Sequence, residues 1–345
     1  PKDPRSLAEA ILKLAADASL SERMGKESRR LFQEQFLAEK MKNAYEKVYL
    51  ELIKKRIAFI LSQFPETHET FILRELEAMR EKGLDFKILS LKRCKDRIVH
   101  PQAKNLIEKT IYGKVMGHRS WVIGLAHPFK TINSFIYVIK SYFHSPGDLL
   151  KAFYVWIECC YFARVIKKER ITHIHAHWAT MPTTAAVILS KMTGIPFSFT
   201  AHALDIFVNT NGLAGKVERA RFVVTCTEYN RGYLVRLLRR PFGAPRNDPT
   251  QAKACGYQRC ERTEPNKLGN YNIYRNYHGI DTDSFKMRDY SGGDGKLRIL
   301  AIGRLVETKG FGYLIDACQI LKERGVSFEC AIVGEGPLLK SHKSQ

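Results

Sequence analysis

Apolar residues recur along this chain in two alternating patterns. At the amino end Leu7, Ile11, Leu14 and Ala15 are spaced for a helix, behind Asp3-Pro4, an N-cap followed by proline at the first helical position. Ser19 and Glu22 have the spacing of a capping box and predict a second helix. Leu37, Met41, Ala44, Tyr45, Val48 and Leu52 give a third apolar stripe. Residues 1–54 are therefore expected as a helical segment. From Arg56 the pattern changes. Ile57 to Leu61 is a short, wholly apolar run of the kind found in buried parallel strands. A polar loop follows, then a helix carrying Phe71, Ile72, Leu76 and Met79 that Gly83 ends, then a strand at Phe86 to Leu89. This is a β-α-β unit.

The alternation recurs. Ile171 to His177, Pro196 to Thr200 and Phe222 to Cys226 read as strands, with a helix from Thr183 to Thr193 that ends at Gly194. Residues 239–270 are polar and read as a long excursion, and 284–296 as a linker. A second β-α-β unit follows: strand Leu297 to Ile302, loop Gly303 to Gly310, helix Phe311 to Glu323, strand Phe328 to Val333. The expected fold is α/β with two Rossmann-like domains, over residues 55–290 and 291–345. The second, about fifty residues of β-α-β, is expected to be incomplete, being below the size that buries a stable core.

Composition narrows the classes. The 345 residues suffice for two domains, and 45% hydrophobic with 26% charged fits a globular protein. A net charge of +21 favours an acidic partner, whether nucleic acid, anionic lipid or a phosphate-bearing substrate. The basic residues are spread along the chain with no zinc-finger, RNP-like or basic-zipper pattern, so no nucleic acid is expected. Eight cysteines, among them Cys255 and Cys260 flanking a polar loop, form no disulfide framework; reduced thiols in the cytosol are expected. No signal peptide is recognised, and Pro1 is expected to be a processed or fragment edge. Trp121 to Phe143 is interrupted by His127, Pro128, Lys130 and Lys140, which makes it a poor transmembrane span and leaves an interfacial patch or a buried helix pair.

Candidate chemistry lies at strand ends, because ligands of open α/β sheets bind beyond them. Gly303 allows the chain to turn, and Arg304 and Lys309 precede a helix N-terminus that suits phosphate; Gly334, Glu335 and Gly336 end the next strand and are expected to line the same cleft. His202 follows a buried strand directly, with Asp205 three residues on. It can hold a hydroxyl or phosphate, move a proton, or simply pack. His173, His175 and His177 share one strand face and raise the alternative of zinc, with His177 nearest the strand end. The stretch Ser62 to Phe71, with Glu69 and Thr70, offers small polar groups to an acceptor, or is an ordinary loop capped by Thr67.

In this order the stretches SQFPETHETFILRELEAMREKG, HIHAHWATMPTTAAVILSKMTGIPFSFTAHALDIF, VVTCTEYNRGYL, YHGIDTDSF and LRILAIGRLVETKGFGYLIDAC with IVGEGP resemble the retaining glycosyltransferases of the GT-B fold known as family 4 or group 1, nearest to members that make bacterial exopolysaccharide or other surface glycans. The resemblance covers about residues 57 to 340. It implies sugar transfer from a nucleotide diphosphate donor to an acceptor hydroxyl with retention. Arg304 and Lys309 would hold the diphosphate, His202 would stand beside the sugar, and Gly334, Glu335 and Gly336 would line the nucleotide side. Glu69, Thr70, His177 and Asp205 are the acceptor-side candidates. The resemblance implies no metal and no cofactor beyond the nucleotide sugar, a glycan or lipid-linked acceptor, and contact with an anionic membrane at its cytoplasmic face. Two departures stand out. The E-x7-E pair that the family places further along the donor domain is not reached, so little or no activity is expected of this chain alone. PKDPRSLAEAILKLAADASLSERMGKESRRL is typical of the family's carboxyl-terminal tail yet precedes the first domain, as expected of a junction between two similar transferases or of a circular rearrangement. A nucleotide-sugar 2-epimerase on the same scaffold, and a zinc hydrolase using the His173/His175/His177 strand, are the alternatives.

Overall fold

The computed structural model describes residues 3–49, 56–66, 69–94, 103–114, 128–208, 210–239, 272–280 and 297–343. The chain divides into two compact units, one of Pro1–Gln35, Asn247–Arg259 and Asp281–Gln345, the other of Phe36–Arg246 and Cys260–Ile280.

The larger unit is built on β1 (Ile57–Phe64), whose residues alternate between two buried faces. Ala58 and Ile60 join one core cluster; Ile57, Phe59 and Leu61 join the other. Around it run β2 (Phe86–Arg93), β3 (Thr110–Tyr112), β4 (His173–His177), β5 (Phe197–Ala201), β6 (Val223–Thr225) and β7 (Ile273–Arg275). The seven pair in the order β3-β2-β1-β4-β5-β6-β7, and every pairing is parallel. The expected parallel α/β architecture holds. β3 and β7, three residues each, escaped the sequence reading because neither presents an apolar run.

On one side of the sheet lie α6 (Pro128–Tyr142), α7 (Pro146–Lys168) and α8 (Met181–Thr193). Ser134, Val138 and Tyr142 of α6 turn inward, and Trp156 of α7 donates its indole N–H to Ser134 Oγ at 2.9 Å. The outward side of α6 carries Phe129, Ile132, Ile136 and Ile139, with Phe143 just beyond, all exposed. The part of the stretch Trp121 to Phe143 before residue 128 lies outside the described residues. No described helix is long and apolar enough to cross a membrane.

The opposite side is covered by α3 (Ala38–Tyr49) and α4 (Thr70–Glu81), with the short α5 (Lys104–Ile107) nearby. α3 is built in firmly. Its Met41 and Tyr45 are buried with Phe59, Leu76 and Val224. Leu37 bridges to Ile280, Ala38 N–H donates to the Ile280 carbonyl at 3.1 Å, and Ile280 N–H donates to the Phe36 carbonyl at 3.0 Å. Gly279 has no room for a side chain, since a Cβ there would lie 2.6 Å from Ala38 Cα. The described residues of this unit also form α9 (Leu204–Phe207), α10 (Leu213–Arg219) and α11 (Glu228–Arg239).

In the smaller unit β8 (Leu297–Ile302) and β9 (Phe328–Val333) pair in parallel across α12 (Phe311–Glu323), as the second β-α-β pattern predicted; α13 (Leu339–Lys343) follows. α1 (Pro4–Ala16) packs on α12, with Ala8, Ala317 and Leu321 wholly buried between them. Residues 1–54, expected as one helical segment, are thus shared between the units: α1 and α2 (Ala18–Gln35) belong to the smaller and α3 to the larger. Asp3 caps α1 as expected, accepting from Arg5 N–H at 3.0 Å. The expected box of Ser19 and Glu22 does not form. The Asp17 carboxylate, two residues earlier and a stronger acceptor, takes Leu20 N–H at 2.9 Å, and Glu22 pairs with Lys26 instead. The expected excursion at 239–270, the linker at 284–296, Thr67, Cys255 and Cys260 lie outside the described residues, apart from Arg239 itself.

Candidate functional site at the strand ends

The larger sheet reverses its strand order at β1, with β2 on one side and β4 on the other, and this is where such sheets take ligands. The residues leaving the strands there are Glu69 to Phe71 after β1, Trp178 after β4, His202 after β5, Cys226 after β6 and His278 after β7. Their rings meet. His202 lies 4.3 Å from Trp178, 4.8 Å from Phe71 and 5.5 Å from His278 between centroids.

His202 is fixed through its backbone. Its N–H donates to Asp205 Oδ1 at 3.0 Å, and its carbonyl accepts from the Asn230 amide. The same Asp205 carboxylate accepts Ala179 N–H at 2.7 Å, while the buried Lys216 ammonium donates to the Ala179 and Thr180 carbonyls at 2.7 and 3.1 Å. Asp205, expected as an acceptor contact, is 1% exposed and serves to tie two strand ends together. Between them Trp178 is held at φ 74°, a conformation that costs a bulky residue about 1–3 kcal/mol. Trp178 N–H donates to the Thr200 carbonyl at 2.9 Å and Thr183 Oγ1 to the Trp178 carbonyl at 2.7 Å, which keeps it there.

Beneath lies a polar layer. His173, His175 and His177 share one face, as the period-two pattern predicted, and all are wholly buried. His173 Nε2 and His175 Nδ1 both meet Ser198 Oγ, at 2.7 and 2.8 Å, and His175 Nε2 meets Thr200 Oγ1 at 3.0 Å. Hydroxyls of the neighbouring strand therefore hold both nitrogens of His175, which argues against zinc bound by the three histidines of this strand. His177, expected to reach the cleft, supports it from below, 6.5 Å from His202 and 3.8 Å from Glu75 Oε1. Burial, followed by the neighbouring His177 and His278, holds His202 well below the ordinary imidazole range; burial likewise lowers His177, to about 3. At neutral pH His202 is an uncharged ring whose buried Nε2 has no hydrogen-bond partner among the described residues. Glu69, at the start of α4, is pushed up to about 7 by burial, with the indole of Trp178 opposing the shift. Thr70 is half-buried beside it.

Trp178, Phe71, Cys226 and His278 were not foreseen. Each lies in or beside a stretch already singled out, but only the strand order brings them together.

In the smaller unit the loop after β8 carries Gly303, Arg304 and Lys309. Both cations are exposed, and among the described residues neither is engaged in an ion pair. Gly303 lies close against the Phe311 ring, where a Cβ would sit at 3.2 Å and crowd it. The helix following, α12, begins after Gly310 in the left-handed region, an N-cap with no side chain to offer its free N–H groups. Gly334, Glu335 and Gly336 run alongside: Leu305 N–H donates to the Glu335 carbonyl at 2.8 Å, and Gly303 N–H to the Val333 carbonyl at 3.0 Å.

No family model matches the chain. Among curated proteins it is similar to the amylovoran biosynthesis glycosyltransferase AmsK of Erwinia amylovora, 43% identical over 60 residues, which are 17% of this chain and 15% of that protein. It is also similar to the protein named as colanic acid biosynthesis glycosyltransferase WcaL of Escherichia coli (strain K12), 26% identical over 299 residues, 82% of this chain and 64% of that protein. The chain thus spans less than two thirds of the length of either relative. Among solved structures, Anabaena Alr3699/HepE in complex with UDP-glucose aligns over 81% of this chain and 69% of that one, at 12% identity and a TM-score of 0.43.

Proposed function

We propose, from its kinship with glycosyltransferases of bacterial surface-polysaccharide synthesis, that this chain takes part in moving a sugar from a nucleoside diphosphate to an acceptor hydroxyl, with retention, in exopolysaccharide or related glycan synthesis. The observation that carries the reading is the loop after β8, where two exposed cations, unpaired among the described residues, stand beside a helix N-terminus whose N-cap is glycine. Arg304 supplies a planar fork and Lys309 a point charge, so together they neutralise a diphosphate as it departs. Gly334, Glu335 and Gly336 serve the nucleotide side. In the larger unit His202, uncharged and with an unused Nε2, hydrogen-bonds a sugar hydroxyl, and Phe71 and Trp178 offer apolar faces to a pyranose ring. Glu69 and Thr70 contact the acceptor; His177 and Asp205 act through the groups they support. The nucleophile is the acceptor oxygen, so no serine or cysteine need attack.

The test is incubation of the protein with a panel of nucleotide sugars, with and without glycan or polyprenyl-linked acceptors. Binding of at least one nucleoside diphosphate sugar is expected, and any release of nucleoside diphosphate should depend on the acceptor. Conversion of the donor sugar without acceptor would identify an epimerase instead, and failure to bind any donor would remove the reading.

A lipid-linked acceptor requires the protein to work at the inner face of a membrane. The outward side of α6 suits that place: Phe129, Ile132, Ile136, Ile139 and Phe143 follow each other at steps of three and four, Lys130 and Lys140 flank them, and the helix has no acidic residue. Ile136→Asp with Ile139→Asp is expected to cut co-sedimentation with phosphatidylglycerol vesicles by at least ~10-fold. Equal co-sedimentation of parent and variant would rule out this surface.

A further inference from the structure

One cluster at the strand ends has a donor set that sugar transfer does not call for. His202, Cys226 and His278 follow β5, β6 and β7, which are consecutive in the sheet, and a ligating atom of each lies within 4.8 Å of the others. His202 is 6% exposed, and its Nε2 is buried without a hydrogen-bond partner among the described residues. Leaving such a nitrogen unpaired forfeits its hydration without a replacement, so a ligand there relieves a standing penalty. Cys226 and His278 are only half-buried, which leaves a route in.

Two imidazoles and a thiolate are a ligand set of zinc and similar cations. Zinc bonds of about 2.0–2.1 Å to nitrogen and 2.3 Å to sulfur put tetrahedral donors about 3.3–3.6 Å apart, so the three side chains must draw in by about 1 Å, which rotation about their own bonds supplies. Asn230 already orients two of them from behind. Its amide donates to Cys226 Sγ at 3.5 Å and to the His202 carbonyl. Burial favours uncharged rings at both histidines, the state in which they ligate a metal. The other close cluster, Glu75, His175 and His177, lacks these features. It is wholly buried, and hydroxyls already hold both His175 nitrogens.

We propose that His202, His278 and Cys226 bind one zinc or similarly thiophilic divalent cation, with a water in the fourth position. The thiol proton leaves to solvent as the metal–sulfur bond forms. The bound ion takes up the buried Nε2 of His202, so it acts as a reversible inhibitor of whatever that nitrogen serves; the inhibition rests on the transfer reading, the binding does not.

The test titrates the full chain with cobalt chloride and with zinc chloride. One cation per chain is expected, with a thiolate-to-cobalt charge-transfer band. Cys226→Ser should abolish that band, and both Cys226→Ser and His278→Ala should weaken zinc binding by more than the ~10–100-fold that loss of an outer-shell partner costs. His144→Ala, at an exposed histidine, should change nothing. Zinc should also protect Cys226 of the unsubstituted protein from alkylation, mapped by mass spectrometry, a readout that needs no variant to fold. Cobalt binding without the band, or alkylation of Cys226 at the same rate with and without zinc, would overturn the site.

Discussion

Replacing both Arg304 and Lys309 by alanine is expected to weaken binding of nucleoside diphosphates at least ~100-fold, as read by isothermal titration. The estimate follows from the local chemistry. Each charge-assisted contact to a phosphate is worth about 1.5–3 kcal/mol, and a factor of ten needs about 1.4. Both side chains are exposed and neither is spent on an ion pair among the described residues, so their charge is available to a ligand. The start of α12, whose N-cap is glycine, adds backbone donors that the variant keeps, which is why some affinity should remain. The loss should be specific to the diphosphate, with the corresponding nucleoside much less affected. Equal affinity of parent and double variant for every diphosphate tried would remove the anion role of this loop, and with it the observation on which the functional reading rests.

Tyr45→Ala is expected to destabilise the larger unit by about 3–5 kcal/mol, the usual cost of emptying a buried aromatic position. Tyr45 is 1% exposed among Phe59, Leu76 and Val224. Its hydroxyl lies with Glu75 and Thr200, and burial, reinforced by the charge of Glu75, pushes its ionisation well above the ordinary tyrosine range. Tyr45→Phe, which keeps the ring but leaves a buried carboxyl short of a partner, should cost about 1–3 kcal/mol. Urea unfolding followed by tryptophan fluorescence measures both, since Trp156 and Trp178 lie in this unit. A loss below ~1 kcal/mol for Tyr45→Ala would mean that α3 is not seated on the sheet in solution.

How much of this was legible beforehand depended on the range of the interaction. β1 could be read because a strand buried on both faces is apolar throughout, and β4 because alternation put three histidines on one side. What those histidines bind could not be read. Ser198 and Thr200 reach them only through the register between β4 and β5, which no spacing encodes. For the same reason Asp205 read as a ligand contact, although its carboxylate is consumed by two backbone N–H groups. His278 sits 76 residues beyond His202 in the chain, and only the parallel order of β5, β6 and β7 makes them neighbours. The third apolar stripe was seen, but its seat was not. A helical stripe says that a face will be covered, not by which body. The second β-α-β pattern needed only local contacts and was read in full.

The backbone contact between the two loops of the smaller unit has a thermodynamic side. A side chain at Gly334 would strike the Gly303 carbonyl at 1.9 Å, and one at Gly336 the Leu305 carbonyl at 2.4 Å. Bare main chain therefore lies against bare main chain, tied by the hydrogen bonds of Gly303, Leu305 and Leu338. Two segments joined in this way have little freedom left to surrender. An anion arriving there need not freeze a wandering loop, so more of its attraction appears as affinity and less is lost to conformational entropy.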